Sequence, residues 1–454
     1  MSFRDLRSFL QFLEENGGLV RIREEVPPVY GIARVEREYD GKSALLFERV
    51  KGYEIPVAAN IFFSRDCVAH ALGLEKAEVT EAIIRAAKNP TRVNEVTTGP
   101  VKEVVAKKVN LLDFLPIPKH FEKDVGRYIS GGVIIAKDIE TGTRNVSFAR
   151  MWMKEENKII VMINYYRHLY AYIQKAEAQG RPLEVAIVIG PDPVVWLEGG
   201  MPERLVPGDM DELEVAGSLA GEPIDVVRCE SIDLEVPANA EIVIEGEVLP
   251  NIRESEGPFG DFSRVYDMPP RLNPVIEIKA ITHRKNPVFL DCLPGSVDNL
   301  LLGGIPREAD LLDFARKAVP CVKRIHLTTG GCCRFHAVVQ IDKKFDFEPY
   351  HAIMAVLSPT EAARDIKWVV VVDRDVDPSD PKDVEWAIAT RVRWDQDLVT
   401  IPKMASTLDP SSKGRVPSNL KLIYGAKVGM DATIPLEHPE FVAFYQKTEV
   451  PGED

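Results

Sequence analysis

The sequence predicts a mixed α+β protein in which a β-rich central part is flanked by two smaller α/β units. Three observations support this fold class: helical apolar spacing near the start, strand-like apolar runs between 128 and 282, and alternating helix and strand patterns after Gly295. At 454 residues the chain is too long for one hydrophobic core. We expect two or three domains, and we place the divisions at 1–115, 116–300 and 301–454.

The first α/β unit is predicted to begin with an amphipathic helix, whose apolar spacing stops at Gly17-Gly18. Its apolar face consists of Leu6, Phe9, Leu10 and Leu13. Strand patterns follow, and then a helix for which Thr80 is the expected N-cap. The predicted strands are Leu19–Ile22, Ala44–Phe47 and Val57–Phe62, and the predicted helix is Glu81–Lys88.

The central part is predicted to be a mostly antiparallel or mixed β domain. Pro116-Ile117-Pro118 marks its start, because two prolines interrupt regular structure. One helix, Arg167–Gln179, interrupts the strand patterns. The predicted strands are Tyr128–Lys137, Asn145–Lys154, Lys158–Tyr165, Val185–Gly190, Glu241–Val248 and Val275–Thr282.

The last part is predicted to be a second α/β unit, since helical and strand patterns alternate along it. The predicted helices are Arg307–Val319, Tyr350–Leu357 and Val384–Val392, and the predicted strands are Phe335–Ile341 and Trp368–Asp373.

Composition excludes several classes of function. A net charge of -14 without a compensating run of Lys or Arg argues against a nucleic-acid-binding protein. Runs of apolar residues are too short to span a bilayer, and the first residues read as a helix opening and not as a signal sequence. The six cysteines contain no CxxC pair, and we expect Cys332-Cys333 to be two buried apolar residues, with a ligand or redox pair as the alternative. We therefore expect a reducing, cytoplasmic location.

The stretch Arg253–Asp261 carries the first candidate for chemistry. Glu256 and Asp261 stand on either side of Gly-Pro-Phe-Gly, which favours a tight irregular turn over a helix or a strand. Such a turn could direct both carboxyl groups into one volume while Phe259 packs underneath. Two carboxyls in one pocket repel each other, which raises one pKa so that this group holds a proton near neutral pH. A surface turn with two solvated acids is the alternative.

Three further stretches contain candidate ligands. Asn145, Ser147 and Ala149 share one face of a predicted strand, with Arg150 on the other face or at its end. His168 opens a predicted helix, and Glu212 lies in an acidic helical segment. Taken singly, these residues are typical of a half-exposed strand, a packed or surface histidine and a solvated acid.

Taken together, Asn145, His168 and Glu212 form a mixed oxygen and nitrogen set that suits Mn²⁺ or Mg²⁺, with positions left open for phosphate oxygens. Arg150 near Glu256 would hold that acid ionised and leave Asp261 free to titrate.

At these positions the sequence resembles the UbiD family of decarboxylases, which use prenylated FMN. The likeness is specific from about Tyr128 to Tyr266 and looser over the whole chain. Matching blocks are Glu-Gly-Pro-Phe-Gly-Asp at 256–261, Asn-Val-Ser-Phe-Ala-Arg at 145–150, His168, Met201-Pro202, Glu212–Gly217 and Val227–Ala240.

The resemblance implies a split-barrel, flavin-reductase-like central domain and a C-terminal oligomerisation domain that forms a homodimer or a larger homo-oligomer. It implies three metal ligands for manganese or magnesium, with potassium nearby: Asn145, His168 and Glu212. It implies a catalytic network of Arg150, Glu256 and Asp261. The residues implied to bind the cofactor are Ser130, Asn145, Ser147, Phe148, Ala149, Arg150, Arg167, His168, Met201, Pro202 and Glu212.

The implied activity is a non-oxidative, reversible decarboxylation of an α,β-unsaturated or aromatic carboxylic acid, with a flavin prenyltransferase supplying the cofactor. The modified flavin is the electron sink, and the second acid of the turn delivers the proton that replaces CO₂. An FMN-dependent, flavin-reductase-like oxidoreductase and a flavin-binding protein with a decayed site are the alternatives.

Two departures from the family pattern bear on the substrate. The second acid is Asp261, where cinnamate-type members carry Glu, and the following residues lack the His-Gly-Tyr of several aromatic-acid branches. Arg264 adds a cation near the expected pocket entrance, which favours an anionic substrate tail; a surface arginine explains it equally well. A phosphorylated acid of isoprenoid metabolism, such as trans-anhydromevalonate 5-phosphate, fits this pattern.

Overall fold

The computed structural model describes residues 2–106, 110–358, 360, 362–406, 408–412, 423–437 and 439–448. The chain divides into two compact units, Met1–Pro306 and Arg307–Asp454, and each is described by itself. The predicted division at residue 115, inside the first unit, stays a prediction. Within the described residues, no helix is both long and apolar enough to cross a membrane.

The first unit begins with short helices around a small sheet. The predicted opening helix is confirmed as α1, which Asp5 caps by accepting a hydrogen bond from the Ser8 amide, and its predicted apolar face is buried. The helices are α1 (Leu6–Glu15), α2 (Gly31–Glu38), α3 (Arg65–Leu72), α4 (Val79–Lys88) and α5 (Leu111–Phe114). The strands are β1 (Leu19–Ile22), β2 (Ala44–Phe47), β3 (Val57–Ala59), β4 (Asn94–Glu95) and β5 (Val104–Ala106), with 3-10 turns at Lys76–Glu78 and Pro100–Lys102.

Two predictions for this segment are wrong in detail. The strand predicted to reach Phe62 ends at Ala59, because Asn60 has a φ of 55°, which a strand does not accommodate. Thr80 is not an N-cap, since α4 already begins at Val79, directly after the 3-10 turn Lys76–Glu78. Helices α2 and α3 were not predicted.

A nine-stranded sheet dominates the rest of the first unit. Its strands are β6 (Tyr128–Ile129), β7 (Val133–Lys137), β8 (Arg144–Phe148), β9 (Arg150–Glu155), β10 (Lys158–Met162), β11 (Leu183–Ile189), β14 (Ile242–Glu256) and β17 (Arg271–His283), together with β5. Shorter strands lie outside it: β12 (Asp225–Arg228), β13 (Glu235–Pro237), β15 (Phe259–Gly260), β16 (Tyr266–Asp267) and β18 (Phe289–Leu290). The helices are α6 (His168–Ala178), α7 (Pro193–Glu198), α8 (Glu212–Ala220) and α9 (Val297–Ala318), the last of which continues beyond this unit.

The path through this sheet is β6-β9-β10-β17-β14-β11-β7-β8, and β5 pairs with β17. All of its pairings are antiparallel, as in β11 with β14 from Leu183↔Val248 to Ile189↔Ile242. Strands β8 and β9 lie near opposite ends of this path, yet Ala149 alone separates them in the chain. Because two peptide units span at most about 7 Å, the sheet must curl so that its two ends meet. The mixed α+β class is confirmed.

Three predicted central strands differ from those observed. The segment predicted as Tyr128–Lys137 is two strands. Between them Gly131 lies so close to the Leu290 carbonyl that a Cβ there would be 2.5 Å from its oxygen. The segment predicted as Asn145–Lys154 divides at Ala149, and the strand predicted to reach Tyr165 ends at Met162.

The prediction that the run Gly-Pro-Phe-Gly contains no strand is wrong for its last two residues, Phe259–Gly260, which form β15. Strand β14 continues to Glu256, because 253–256 resumes its pairing with β17 from Arg253↔Pro274 to Glu256↔Arg271. The irregular turn begins only at Gly257-Pro258, before the short strand β15.

The second unit contains a five-stranded sheet in the order β19-β20-β21-β23-β22, in which β20, β21 and β23 run parallel. Its strands are β19 (Val322–Leu327), β20 (His336–Ile341), β21 (Trp368–Val372), β22 (Leu398–Ser406) and β23 (Ile423–Ala432). Its helices are α10 (Glu348–Val356) and α11 (Pro381–Arg391), with 3-10 turns at Pro410–Ser412 and Pro439–Phe444.

The α/β pattern of this unit is confirmed, and strands β19, β22 and β23 were not predicted. Its core packs β20, β21 and β23 against α11. Helix α9 starts at Val297, ten residues before the predicted Arg307, and it contains Pro306. Cys333 is buried as predicted, whereas Cys332 is half-buried; none of the six cysteines, all in the described residues, forms a disulfide.

Candidate active site

A buried ion pair between Arg150 and Glu256 forms the centre of the candidate site. Arg150, the first residue of β9, donates from Nε to Glu256 Oε1 at 3.0 Å and from Nη2 to Oε2 at 2.9 Å. The carboxylate also accepts from Tyr128 Oη at 2.6 Å and from Asn273 Nδ2 at 3.0 Å. Glu256 is only 1% exposed, so the alternative of a solvated surface acid is wrong for this residue. Four hydrogen bonds therefore hold this carboxylate in a fixed orientation.

Aromatic rings complete the surroundings of this pair. Phe259 lies beneath the guanidinium of Arg150, whose Cζ is 4.7 Å from the ring centroid, and its own ring is 4.6 Å from that of Tyr128. Burial raises the pKa of Tyr128, and the carboxylate of Glu256 raises it further. The phenol therefore stays a hydrogen-bond donor.

Asp267 is a further member that the sequence reasoning missed. Its Oδ2 accepts from Arg150 Nη2 at 3.1 Å, and its Oδ1 accepts from Arg271 Nη2 at 3.1 Å. Burial lowers the pKa of Arg150, but the carboxylates of Glu256 and Asp267 outweigh burial and leave that pKa above its ordinary value. Asp267 lies on the two-residue strand β16, in a stretch where no spacing pattern marks it.

Asp261 follows strand β15, which brings it to the same neighbourhood. Its charge also raises the pKa of Arg150. Its Oδ1 accepts from the Phe262 amide at 2.8 Å, and its backbone N donates to the Val265 carbonyl at 3.0 Å. Unlike Glu256 it is half-exposed. The turn therefore holds one buried acid and one acid with access to solvent.

Asn145, His168 and Glu212 converge from β8 and from the first residues of α6 and α8. Asn145 Nδ2 lies 2.8 Å and His168 Nδ1 lies 4.0 Å from Glu212 Oε1. Ser147 Oγ donates to Asn145 Oδ1 at 2.6 Å, and the Val146 amide donates to Glu212 Oε2. Glu212 is 4% exposed, so the alternative of a solvated helix acid is wrong.

The electrostatics of these residues suit a cation. Burial raises the pKa of Glu212, while His168 and the Val146 amide oppose that shift. Burial lowers the pKa of His168, but Glu212 and Glu203 outweigh it and raise that pKa. An amide oxygen, an imidazole nitrogen and a buried carboxylate thus offer a donor set with excess negative charge, which a divalent ion would neutralise.

The remaining candidate cofactor residues lie on segments that meet at the end of β8. The Phe148 amide donates to the Gly199 carbonyl at 3.1 Å, which brings 147–149 against the turn that carries Met201 and Pro202. Arg167 Nη1 donates to the Met201 carbonyl at 3.3 Å. Ser130 lies on the loop between β6 and β7, where its Oγ donates to Asp291 Oδ1 at 2.9 Å.

Family models cover most of the chain. The N-terminal domain model of 3-octaprenyl-4-hydroxybenzoate carboxy-lyase (UbiD) matches residues 10–87, its Rift-related domain model matches 92–297, and its C-terminal domain model matches 300–432.

Relatives and solved structures agree with these models. The chain is 38% identical over 436 residues to an anhydromevalonate phosphate decarboxylase of Methanothermobacter thermautotrophicus, covering 96% of this chain and 98% of that one. It is similar to the UbiD-class enzyme HmfF from Pelotomaculum thermopropionicum in complex with FMN, with a TM-score of 0.92 and 42% identity over 99% of this chain and 98% of that one. An evolved dimeric form of HmfF in complex with prFMN gives a TM-score of 0.89 and 41% identity over the same shares. The chain therefore belongs to the UbiD family of carboxy-lyases.

Proposed function

We propose that the chain is a prenylated-FMN-dependent decarboxylase that reversibly removes CO₂ from an α,β-unsaturated or aromatic carboxylic acid. The buried Arg150–Glu256 pair, with Asp261 half-exposed beside it, carries this proposal. An FMN-dependent oxidoreductase is the weaker candidate, because hydride transfer requires no such acid pair. FMN and prFMN in the two HmfF structures support a flavin cofactor.

The metal-binding donor atoms described above suit the proposed cofactor site. Asn145, His168 and Glu212 would hold Mn²⁺ or Mg²⁺, with K⁺ as a second cation, next to the cofactor phosphate. When bound, prenylated FMN supplies an electron sink for the charge left on carbon as CO₂ departs. Residues proposed to line it are Ser130, Ser147, Phe148, Ala149, Arg150, Arg167, Met201 and Pro202.

In this proposal the acids have separate tasks. Arg150 and Glu256 orient the substrate carboxylate, and the hydrogen bonds of Tyr128 and Asn273 fix Glu256 in turn. Asp261 transfers its carboxyl proton to the carbon that has lost CO₂, and its half-exposed position allows reprotonation from solvent. Asp267 is a positioning residue that acts through Arg150.

The substrate we favour carries a phosphate, as trans-anhydromevalonate 5-phosphate does. Arg264 follows the acid turn with a side chain 56% exposed; its Nε donates to the Gly295 carbonyl at 3.1 Å, and its Nη2 lies 4.0 Å from Asp40. The name of the Methanothermobacter relative supports this choice.

We also propose a homodimer or larger homo-oligomer in the cytoplasm, supplied with cofactor by a flavin prenyltransferase. Six large hydrophobic residues of the second unit are more than half exposed: Phe345, Phe347, Met354, Trp394, Tyr424 and Phe444. Such exposure favours a contact between protein surfaces. Light scattering on the purified chain tests the oligomeric state.

The test of activity uses protein co-expressed with a flavin prenyltransferase. In D₂O we expect CO₂ release from trans-anhydromevalonate 5-phosphate, with deuterium at the carbon that bore the carboxyl, and slower turnover of the unphosphorylated acid. Turnover of cinnamic acid alone would refute the phosphorylated substrate but not the decarboxylase. Absence of CO₂ release and of bicarbonate incorporation with all three acids would refute the proposed function.

A further inference from the structure

A second polar cluster lies in the first unit and is fully enclosed. It consists of Glu36 on α2, His120 on the segment before β6, and Asp291 after β18. Glu36 and Asp291 are 0% exposed and His120 is 4% exposed. One potential ligand atom from each residue lies within 4.8 Å of the other two. The cluster shares no residue with Asn145, His168 and Glu212.

The hydrogen bonds of this cluster are incomplete. His120 Nε2 lies 2.8 Å from Asp291 Oδ2, and Asp291 Oδ1 accepts from Ser130 Oγ at 2.9 Å. Both carboxyl oxygens of Glu36 and Nδ1 of His120 have no hydrogen-bond partner within the described part of the chain. A buried polar atom without a partner is unfavourable, and more so when it is charged. This geometry calls for a further group between Glu36 and His120.

The carboxyls around that group favour a cation. Asp298 is also buried; its Oδ1 accepts from the Phe62 amide at 2.8 Å. Burial raises the pKa of Glu36 well above its usual range, and Asp291 and Asp298 raise it further. Arg37 opposes that shift, but it is an exposed residue of α2. Glu36 and Asp291 thus share one imidazole in a buried cluster, and Asp298 is a third buried carboxyl whose charge acts on Glu36. A bound cation would allow both carboxyls of the cluster to stay ionised.

We propose that Glu36, His120 and Asp291 bind a divalent transition-metal ion. One imidazole nitrogen and two carboxylates are a ligand set for Zn²⁺ or Mn²⁺. A proton on Glu36 would neutralise one charge, yet it would leave the carboxylic acid without an acceptor for its hydrogen bond.

The ion has a structural and positioning role in this proposal. It joins α2, the segment before β6 and the end of β18, which are far apart in the chain. Asp291 also holds the hydroxyl of Ser130, so the ion fixes the loop between β6 and β7 on which Ser130 lies. Binding of this ion does not require the proposed decarboxylation.

The direct test is anomalous diffraction from crystals of the full chain grown with Zn²⁺ or, separately, Mn²⁺. We expect a peak within bonding distance of Glu36, His120 and Asp291 in the wild type. The matched control is Glu38→Gln, since Glu38 is an exposed acid of the same helix, and it should keep the peak. Glu36→Gln should lose it. A wild-type map without this peak for both ions would overturn the proposal.

A test in solution uses the His168→Ala variant, in which the other candidate metal site lacks one ligand. After chelation and titration with Zn²⁺, we expect one ion per chain at this cluster and a rise in Tm on metal addition. Adding Glu36→Gln should abolish both the binding of Zn²⁺ and the rise in Tm, whereas adding Glu38→Gln should leave both unchanged. If Glu36→Gln prevents folding, His120→Gln replaces it and should have the same effect. Equal binding with and without Glu36→Gln would overturn the proposal.

Discussion

Arg150 and Glu256 meet through two hydrogen bonds of 3.0 and 2.9 Å, although they are 106 positions apart in the chain. The curl of the sheet makes this contact possible, because it brings the start of β9 to the end of β14. Such a fork-to-fork pair fixes the direction of both side chains as well as their distance.

Replacing Glu256 by Gln should abolish CO₂ release while flavin and metal still bind. The amide keeps the shape but loses the charge that Arg150, Tyr128 and Asn273 surround. We expect turnover to fall by at least about 100-fold. Glu254→Gln, on the same strand and paired with Lys154, should keep normal turnover, and near-normal turnover of Glu256→Gln would contradict the assigned network.

Arg150→Ala should also abolish CO₂ release, and it should destabilise the fold. It leaves Glu256 buried without its cation, a loss that typically costs about 3–5 kcal/mol. Urea unfolding measures this change, and Lys154→Ala, which removes a more exposed ion pair, serves as control with a change below about 1 kcal/mol. Equal unfolding free energies for the two variants would show that the Arg150–Glu256 pair stabilises the fold no more than the more exposed Lys154–Glu254 pair does.

Asp267→Asn should reduce turnover less than Glu256→Gln does, because Arg150 keeps its bidentate partner. A hydrogen bond between charged groups contributes about 1.5–3 kcal/mol, so we expect a loss of about 10-fold or more in kcat. Cofactor occupancy, read from the absorption spectrum, should stay at the wild-type level. A fall in occupancy instead would place Asp267 in cofactor binding and not in the positioning of Arg150.

His168→Ala should lower metal and cofactor occupancy together. It removes the imidazole that lies 4.0 Å from Glu212. Losing a hydrogen bond that only supports a metal ligand typically weakens metal binding by about 10–100-fold, so we expect a larger loss of Mn²⁺ affinity when the ligand itself is removed. Elemental analysis and flavin absorbance measure the two occupancies. His351→Ala, at an exposed histidine, is the control, and full occupancy in His168→Ala would remove His168 from the metal site.

Stability at acid pH should depend on His336. Burial lowers the pKa of His336 to about 4, and His326 adds to the shift. Its ring stacks on Trp368 at 3.5 Å. Between pH 6.5 and 4 the unfolded chain binds this proton and the folded chain does not, so the free energy of unfolding falls as pH falls, by up to about 3 kcal/mol from this group.

Urea unfolding of the wild type and of His336→Gln at pH 6.5 and pH 4 measures that contribution. The variant should lose less stability across this interval than the wild type does. His351→Gln, at an exposed position, should keep the wild-type dependence. Identical losses in all three proteins would exclude His336 as the source.

Local patterns made much of this fold and site predictable. The apolar face of α1 and the run in β11 follow from spacing alone. The candidate residues 145–150 and 256–261 lie in contiguous motifs, so the sequence shows them directly. Asp267 was missed because its role depends on the pairing of β16 with β15, a contact that no local pattern encodes.

Burial and long-range pairing account for what sequence reasoning could not reach. The extension of β14 to Glu256 depends on its antiparallel partner β17, since the glycine and proline that follow suggest a turn. In the sequence, Glu36 is one of several charged residues of α2, and only the tertiary fold buries it next to Asp291. The burial and the neighbours of a side chain depend on tertiary structure, so secondary-structure propensities do not predict them.

Strand β14 extends over 15 residues, from the interior of the sheet to Glu256 at its last position. Neighbouring side chains of a strand point to opposite faces, so inserting or deleting one residue in the part 253–256 that pairs with β17 would turn Glu256 away from Arg150. Along this paired part, the site of this enzyme can therefore change by substitution but not by a change in length. Engineering of its specificity is likewise limited to substitutions that keep the length of this part of β14.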